Sequence, residues 1–310
     1  MATDHTQSSL FRGVFTIPCT PFTETGALDR ESLQREVEFC IECGAHGIVA
    51  PVNASEFTSL SDDERKCVVE TVVRVTEGRV PVVAGVSAVS AEVAAMFARH
   101  AADAGADALI AMPPYVRKAS ADEILAYFTA LSDSAPLPIF IQNFVPPIGT
   151  PLSATFMARL LSEVEHVQYV KEETAQAPHV ITELFQAAGD ALHGVMGGMA
   201  GRYLLNEYDR GACGTMPACE ITDVHVQLWD ALDGGDRARA REIYLRMLPL
   251  LNIEHIYGAA VYKEVLRRRG VIRNVIMRGG VGPLDEVDHR ELTVTLEEMR
   301  DLFRVSPPVS

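Results

Sequence analysis

The chain has 310 residues, of which 48% are hydrophobic and 22% are charged, a globular composition with ample apolar material for a core. Its net charge of -15 argues against binding nucleic acid or an anionic membrane, because both need clustered positive charge. The first dozen residues lack the apolar segment of a signal peptide, and no run of about 18 apolar residues occurs, so we expect a cytoplasmic protein.

The cysteines and the one basic cluster predict no further chemistry. Six cysteines in a chain of this length do not form a disulfide framework. Cys40 and Cys43 form a C-x-x-C pattern, but it lies in a helical segment with no second pair, which favours packing. The segment 267–269 is three arginines in a helical pattern, and we interpret it as a solvated or interface face. We expect no metal ion and no cofactor.

From the amino end, the chain repeats one unit, in which a short apolar run is followed by a polar turn and an amphipathic helix. This alternation is typical of a parallel sheet with crossover helices. Ser61 with Glu64 and Ser120 with Glu123 have the spacing of capping boxes, so each pair predicts the start of a helix. The eight predicted strands are 14–18, 47–51, 80–84, 108–112, 137–142, 167–171, 192–197 and 212–217.

Eight such units predict a closed (β/α)8 TIM barrel. The alternative is a doubly wound open sheet, which would normally have fewer strands and a glycine-rich turn after the first one. The remaining segments, at about 238–252, 256–269 and 291–302, read as helices without strands between them. We therefore predict an N-terminal tail over 1–12, a barrel over 13–235 and a C-terminal helical region over 236–310.

Lys171 is unusual because it ends the apolar run of the sixth unit. Lysine is rare in this chain, whose basic side chains are mostly arginine. A buried lysine can lose its proton and attack a carbonyl, whereas arginine stays charged. The alternative is a strand-end lysine that reaches for solvent. The four lysines are Lys66, Lys118, Lys171 and Lys263.

In a barrel, the carboxyl ends of the strands and the loops after them form the active-site face. Several polar or small residues fall at these positions and should converge there. Side chains alternate along a strand, so Lys171 and Glu173 should share a face while Glu172 points away. The candidates are Asn53, Ala54, Ser55, Glu56, Tyr115, Gln142, Lys171, Gly197 and Gly198.

The chain resembles the dihydrodipicolinate synthase and N-acetylneuraminate lyase family over nearly its whole length. This resemblance implies a barrel enzyme in which Lys171 forms a Schiff base with an α-keto acid, and it implies a homotetramer. The matching features are Thr20-Pro21-Phe22, Glu56 with Leu60 and Asp63-Glu64-Arg65, Arg79-Val80-Pro81-Val82, Ala84-Gly85-Val86, residues 104–108, Pro114-Tyr115, Leu137-Pro138-Ile139 and Lys171-Glu172.

The departures from the family pattern concern the loop after the second strand and the proton relay. The loop that grips the substrate carboxylate reads Gly-Thr-Thr-Gly-Glu in the family and is 52–56 here, where backbone N–H groups, Asn53 or Ser55 could take that part. The relay tyrosine falls on Gln142, and the tyrosine lent by a neighbouring subunit falls on Val116. The segment 146–148 also lacks the arginine that holds a second carboxylate in dihydrodipicolinate synthases.

Gln142, the 53–56 loop, residues 111–115 and Glu173-Thr174 are together similar to the branch that dehydrates 2-keto-3-deoxy sugar acids, such as 2-keto-3-deoxy-L-arabonate dehydratase. We therefore predict dehydration of such an acid. The alternatives are a pyruvate-dependent aldolase, a dihydrodipicolinate synthase-like condensation, and a non-catalytic barrel that binds keto acids for regulation.

Glu173 is the predicted replacement for the tyrosine relay. Attack requires the neutral amine, but a carboxylate about 4 Å away favours the charged form by on the order of 4 kcal/mol, so we expect the pair to share a proton. The alternatives are a relay through a water held by Gln142 and Ser55, and a Glu173 that only forms a salt bridge to a cation. We expect Glu56 to be structural, holding its loop through backbone N–H groups, and Gly197 and Gly198 to let the backbone approach the substrate.

Overall fold

The structure is a computed structural model that describes residues 10–279 and 282–308. Eight parallel strands pair in chain order, and β1 also pairs with β8, so the sheet closes into a barrel. The predicted (β/α)8 barrel is confirmed, and the open sheet is excluded. The strands are β1 (Gly13–Thr16), β2 (Gly47–Ala50), β3 (Val82–Gly85), β4 (Ala108–Ala111), β5 (Ile139–Asn143), β6 (Val167–Glu172), β7 (Gly194–Gly197) and β8 (Gly214–Thr215).

A helix follows each strand and packs on the outside of the barrel. Both predicted capping boxes are formed, since the side chains of Ser61 and Ser120 accept from the backbone N–H groups of Glu64 and Glu123. These helices are α1 (Arg30–Glu42), α2 (Asp62–Thr76), α3 (Ala91–Ala104), α4 (Ala121–Ser134), α5 (Ala154–Glu163), α6 (Ala177–Ala188), α7 (Leu204–Asp209) and α8 (Thr222–Asp233).

Two apolar layers hold the barrel. Alternate residues of the strands fill its interior, where the rings of Phe140 and Tyr169 stack with centroids 4.6 Å apart. The other face of each strand packs against the surrounding helices. Because both faces are buried, the strands are apolar almost throughout, as expected for a parallel sheet. Strands β5 and β6 are the longest, and they end in polar residues at the carboxyl face.

Three further helices follow the barrel, as predicted, although their bounds differ. They are α9 (Arg237–Tyr257), α10 (Ala259–Arg268) and α11 (Glu286–Glu298). Gly258, with φ of 51°, separates α9 from α10. The apolar faces of α9 and α11 share a core with α8, so the helical region is packed against the barrel. The division at residue 235 stays a proposal. Among the described residues, no helix has the length and apolarity needed to cross a membrane.

The interpretation of 267–269 as a solvated or interface face is wrong for two of its three arginines. Arg269 is 3% exposed and donates to both carboxylate oxygens of Asp223, at 3.0 and 2.9 Å. Arg268 is 8% exposed and donates to Glu264 at 2.7 Å. Asp223 belongs to a distant helix, whereas Glu264 lies one turn earlier on the same helix as Arg268. Both partners are buried carboxylates, and a run of positive charge alone does not reveal them.

Candidate active site

Lys171 lies at the carboxyl end of β6 and is 2% exposed. Its neighbours across the sheet are Gln142 in β5 and Met196 in β7. The ammonium group lies 3.1 Å from the carboxylate of Glu173, which is 6% exposed and comes directly after the strand. The predicted alternation is therefore confirmed, with Lys171 and Glu173 on the same face.

The Glu173 carboxylate has a donor on each oxygen. The side-chain amide of Gln142 donates to Oε2 at 2.7 Å, and the backbone N–H of Met199 donates to Oε1 at 3.5 Å. Gln142 is 1% exposed, so its position fixes the carboxylate beside the amine. Gln142 thus contacts Glu173, and Lys171, Glu173 and Gln142 form one buried unit.

Glu172 points to the other side of the sheet, as predicted. Its carboxylate accepts from the Asn143 amide at 2.7 Å and from the backbone N–H of Thr174 at 2.8 Å. Burial raises its pKa. Glu207 of α7 is completely buried, and no described residue donates to its oxygens. Burial, and after it the charges of Glu173 and Glu172, raise the pKa of Glu207 to about 8, so it is neutral at pH 7.

A cavity of about 510 Å³ lies over the carboxyl end of the barrel, and both Lys171 and Glu173 line it. Phe144, Val145 and Ile148 form an apolar part of its wall. The opposite wall comes from the C-terminal helices, so the cavity lies between the barrel and the helical region. A larger groove of about 650 Å³ lies against α1 and α2 and contains none of the predicted site residues.

The loop after β2 reaches this cavity only in part. Asn53 and Ala54 line it, and the side-chain oxygen of Asn53 is buried without a donor among the described residues. Ser55 is not part of the lining, and its hydroxyl donates to the Pro18 carbonyl at 2.7 Å. The backbone N–H groups of Ser55 and Glu56 donate within the loop, to Val52 and Asn53. Asn53 is therefore the loop's strongest candidate for a substrate contact.

Besides Ser55, four predicted site residues lie outside the lining, namely Tyr115, Gln142, Gly197 and Gly198. Tyr115 packs edge-on against Phe57, with ring centroids 5.7 Å apart. Val116, at the position of the family's second tyrosine, is 74% exposed. Neither side chain touches Lys171 within this chain. A substrate role for Tyr115 stays a prediction.

Gly197 and Gly198 make room for carboxylates. A Cβ on Gly198 would lie 2.3 Å from the side chain of Glu173, and a Cβ on Gly197 would lie 2.0 Å from Glu207. Real Cβ atoms do not approach other atoms so closely, so both positions need glycine for packing. The structure gives a reason for these glycines other than the predicted approach of the backbone to the substrate.

Glu56 is paired with a cation that the sequence did not reveal. Its carboxylate accepts from the ammonium group of Lys263, which is fully buried, and from the backbone N–H of Arg278 at 3.0 Å. The predicted bond to a backbone N–H group is present, and its donor belongs to a distant segment. The ammonium group of Lys263 is a second partner that was not predicted. The loop after β2 is thereby tied to α10 and to the segment after it.

The cavity wall also contains charged residues that sequence reasoning missed. Arg202 follows β7, and its guanidinium donates to Asn252 at 2.7 Å and to the Leu251 carbonyl. Glu254 of α9 is 3% exposed and lines the cavity. A signal for Glu254 was present, because it continues the buried stripe of Met247, Leu250 and Leu251 at helical spacing. A carboxylate on an apolar face indicates a special environment.

Known proteins resemble the chain over nearly all of its length. The model of the dihydrodipicolinate synthetase family matches residues 10–299. The L-2-keto-3-deoxyarabonate dehydratase of Azospirillum brasilense is 35% identical over 265 residues, which cover 84% of this chain and 85% of that protein. The 4-hydroxy-tetrahydrodipicolinate synthase of Chelativorans sp. (strain BNC1) is 33% identical over 270 residues, 86% of this chain and 91% of that protein.

Solved structures of known proteins share the fold of this chain over most of its length. The dihydrodipicolinate synthase of Rhodopseudomonas palustris superposes with a TM-score of 0.86 at 25% identity, and the match covers 93% of this chain and 98% of that one. The similarity therefore includes the barrel and most of the helical region.

Proposed function

The chain belongs to the dihydrodipicolinate synthetase family, and on that premise we propose that it is a Schiff-base lyase that dehydrates a 2-keto-3-deoxy sugar acid. Lys171 is the nucleophile, Glu173 the proton acceptor, and Gln142 the residue that positions Glu173. Asn53 and Ala54 are the proposed contacts for the keto acid. The reaction needs no cofactor, since a lysine amine supplies the electron sink.

One observation carries this proposal, namely the buried unit of Lys171, Glu173 and Gln142, of which Lys171 and Glu173 line the cavity. An amine beside a carboxylate can pass its proton within the pair and attack a carbonyl. Its position at the carboxyl end of a barrel strand is where such enzymes place their catalytic groups. The neighbouring glutamine cannot relay a proton as a tyrosine does, so proton transfer falls to Glu173.

The chemistry follows from the iminium that Lys171 forms with C2 of the keto acid. The positive nitrogen acidifies C3, and Glu173 removes a C3 proton to give the enamine. The enamine then returns its electron pair, the C–O bond at C4 breaks, and the hydroxyl group leaves as water. Hydrolysis of the unsaturated iminium releases the product and frees the lysine.

Two features support dehydration over condensation with a second, carboxylate-bearing substrate. The wall that follows β5 is apolar, with Phe144, Val145 and Ile148 in place of an arginine. The dehydratase of A. brasilense is also among the proteins most similar to this chain. Because some relatives are named as synthases, condensation is an alternative reaction. An aldolase is a second alternative, since it would use the same enamine.

Borohydride reduction in the presence of pyruvate tests the nucleophile. Mass spectrometry should find the reduced adduct on the peptide that carries Lys171, and an unmodified peptide would favour a non-catalytic keto-acid-binding barrel. Glu173→Gln should slow turnover by about 10²- to 10⁴-fold and trapping far less, because imine formation precedes removal of the C3 proton. Equal loss of both would contradict the role of Glu173.

Product analysis distinguishes the reactions. Incubation with a panel of 2-keto-3-deoxy acids should give a product without pyruvate, whereas pyruvate with an aldehyde would identify an aldolase.

The homotetramer and the cytoplasmic location stay predictions. Sedimentation of the purified protein tests the first, and cell fractionation tests the second.

A further inference from the structure

Two carboxyl groups, those of Glu254 and Glu220, meet at the wall of the cavity opposite the barrel strands. Glu254 comes from the last turns of α9 and is part of the cavity lining. Glu220 follows β8, has no exposed surface and is not part of the cavity lining. The pair is therefore formed by one residue of the barrel and one residue of the helical region.

All four carboxylate oxygens of this pair are buried. No other described side chain or backbone group donates to any of their four carboxylate oxygens. The side chains lie close enough to hydrogen-bond to each other, and such a bond needs a proton on one of them. The geometry thus favours a dyad that holds one proton, as in other pairs of carboxyl groups that share a site.

The surroundings of the dyad favour the protonated form of both carboxyl groups. Burial raises the pKa of Glu220, and burial together with the charge of Glu220 raises that of Glu254. The cations nearby are Arg269 and Arg202, which oppose this shift. Both arginines have other partners, because Arg269 pairs with Asp223 and Arg202 donates to Asn252 and Leu251.

Tyr262 lies where the charges of the dyad and of Glu173 both act. It lines the cavity, and besides burial, the charges of Glu254, Glu220, Cys19 and Glu173 raise its pKa. Its phenol therefore stays neutral and lies within electrostatic reach of both walls. Glu173 and Glu254 line the same cavity as Lys171.

We propose that Glu254 is the acid that protonates the departing hydroxyl group, and that Glu220 is a positioning residue that keeps Glu254 protonated. The proposal rests on the proposed function, since it assigns one more group to the same reaction. As the C4–O bond of the enamine breaks, its electron pair stays on oxygen and takes the proton of Glu254, which gives water and a Glu254 carboxylate. No oxidant or reductant is needed.

The environments of Glu173 and Glu254 support this division of work. Glu173 accepts from Gln142 and Met199 and lies beside an ammonium group, which suits a carboxylate that removes a proton. Glu254 has no donor and no direct cation contact, which suits a neutral acid that gives one away. Two carboxyl groups with such opposed surroundings take the roles of base and acid.

Glu254→Gln tests the proposal, because the amide keeps the shape and cannot donate a catalytic proton. Turnover of the hydroxy acid substrate should fall by about 10²- to 10⁴-fold. Borohydride trapping of pyruvate on Lys171 should stay within about twofold of the wild type, because pyruvate has no hydroxyl group to lose. An analogue with fluorine in place of the C4 hydroxyl should lose fluoride at nearly the wild-type rate, since fluoride leaves without a proton.

Glu36→Gln is the matched control. Glu36 is also fully buried, and its pKa is about 8 because of burial, but it does not line the cavity. Its carboxylate accepts from the Cys19 backbone N–H at 3.1 Å and from the Cys219 thiol at 3.4 Å, contacts that glutamine can keep. Turnover of this variant should match that of the wild type.

Glu220→Gln tests the second half of the proposal. It removes the charge that helps to raise the Glu254 pKa, so the alkaline limb of the kcat profile should move to lower pH. A Glu254→Gln enzyme that slows fluoride and water loss equally, or that turns over at the wild-type rate, would overturn the proposal. Failure of the wild type to form the pyruvate adduct would instead contradict the Schiff-base function itself.

Discussion

Among the residues that the structure describes, two lysine–glutamate pairs are buried, and only one of them is proposed to react. Lys171 pairs with Glu173 at 3.1 Å, with 3% and 7% of their side chains exposed. Lys263 pairs with Glu56 in the same way, with 0% and 8% exposed. The residue types and the burial are nearly identical, so neither property distinguishes a nucleophile from a structural cation.

The difference lies in the other contacts of each lysine. Lys263 donates to the Ile276 carbonyl at 2.7 Å, lies over the ring of Phe22 at 4.5 Å, and does not line the cavity. Lys171 lines the cavity, and Glu173 is its acidic partner there. A buried amine that faces a cavity can meet a carbonyl, whereas one enclosed by hydrogen bonds joins segments of the fold.

Lys171→Met gives the largest expected effect. The thioether fills the space but cannot form an imine, so turnover should fall by roughly four orders of magnitude or more, and borohydride should trap no pyruvate at residue 171. Stopped assays measure the turnover, and mass spectrometry measures the trapped adduct. An adduct on Lys263 in this variant would break the distinction between the two pairs.

Lys263→Met should instead reduce stability. It leaves the Glu56 carboxylate without its cation and the Ile276 carbonyl without a donor, and breaking a buried pair in this way costs about 3 to 5 kcal/mol. Urea unfolding should show a larger loss of unfolding free energy for Lys263→Met than for Lys171→Met. The folded Lys263→Met variant should still trap pyruvate on Lys171. A stability equal to that of the wild type would mean that the pair does not hold the loop.

Gly198→Ala and Gly197→Ala test whether the position of Glu173 matters to turnover. The added methyl at 198 would lie 2.3 Å from Glu173 and must displace it, whereas the methyl at 197 meets Glu207 on the other side of the sheet. Gly198→Ala should therefore lower kcat by about 10². Gly197→Ala should lower the unfolding temperature with a smaller change in kcat. The reverse order would argue against Glu173 as the base.

The sequence predicted the elements that depend on local pattern. Strand and helix alternation gave the barrel, and the period of a strand placed Lys171 and Glu173 together opposite Glu172. It did not predict the partners of Glu56, Arg269 or Glu254, because these side chains meet others more than 30 residues away. Such pairs are decided by tertiary packing, which no local spacing encodes, and the helical region's contribution to the cavity was missed for this reason.

Glu207 extends the comparison to a buried carboxyl group without a cation. Its folded pKa is about 8 against an ordinary value of 4.5, so the folded chain keeps a proton that the unfolded chain loses between these values. The unfolded state binds fewer protons in this window, so stability falls as pH rises, by up to about 1.4 kcal/mol per pH unit. Below the window both states are protonated, and above it both are ionised.

Glu207→Gln removes this titratable group, so the stability of the variant should decline less steeply as pH rises. Urea unfolding of both proteins between pH 5 and pH 7.5 measures the difference, and Glu36 contributes equally to each curve and cancels. The free energy of unfolding of the variant should rise relative to that of the wild type as pH rises, because an amide carries no charge to bury. Parallel curves would mean that Glu207 is ionised in the fold, and the site would then hold an unpaired buried carboxylate beside Glu172 and Glu173.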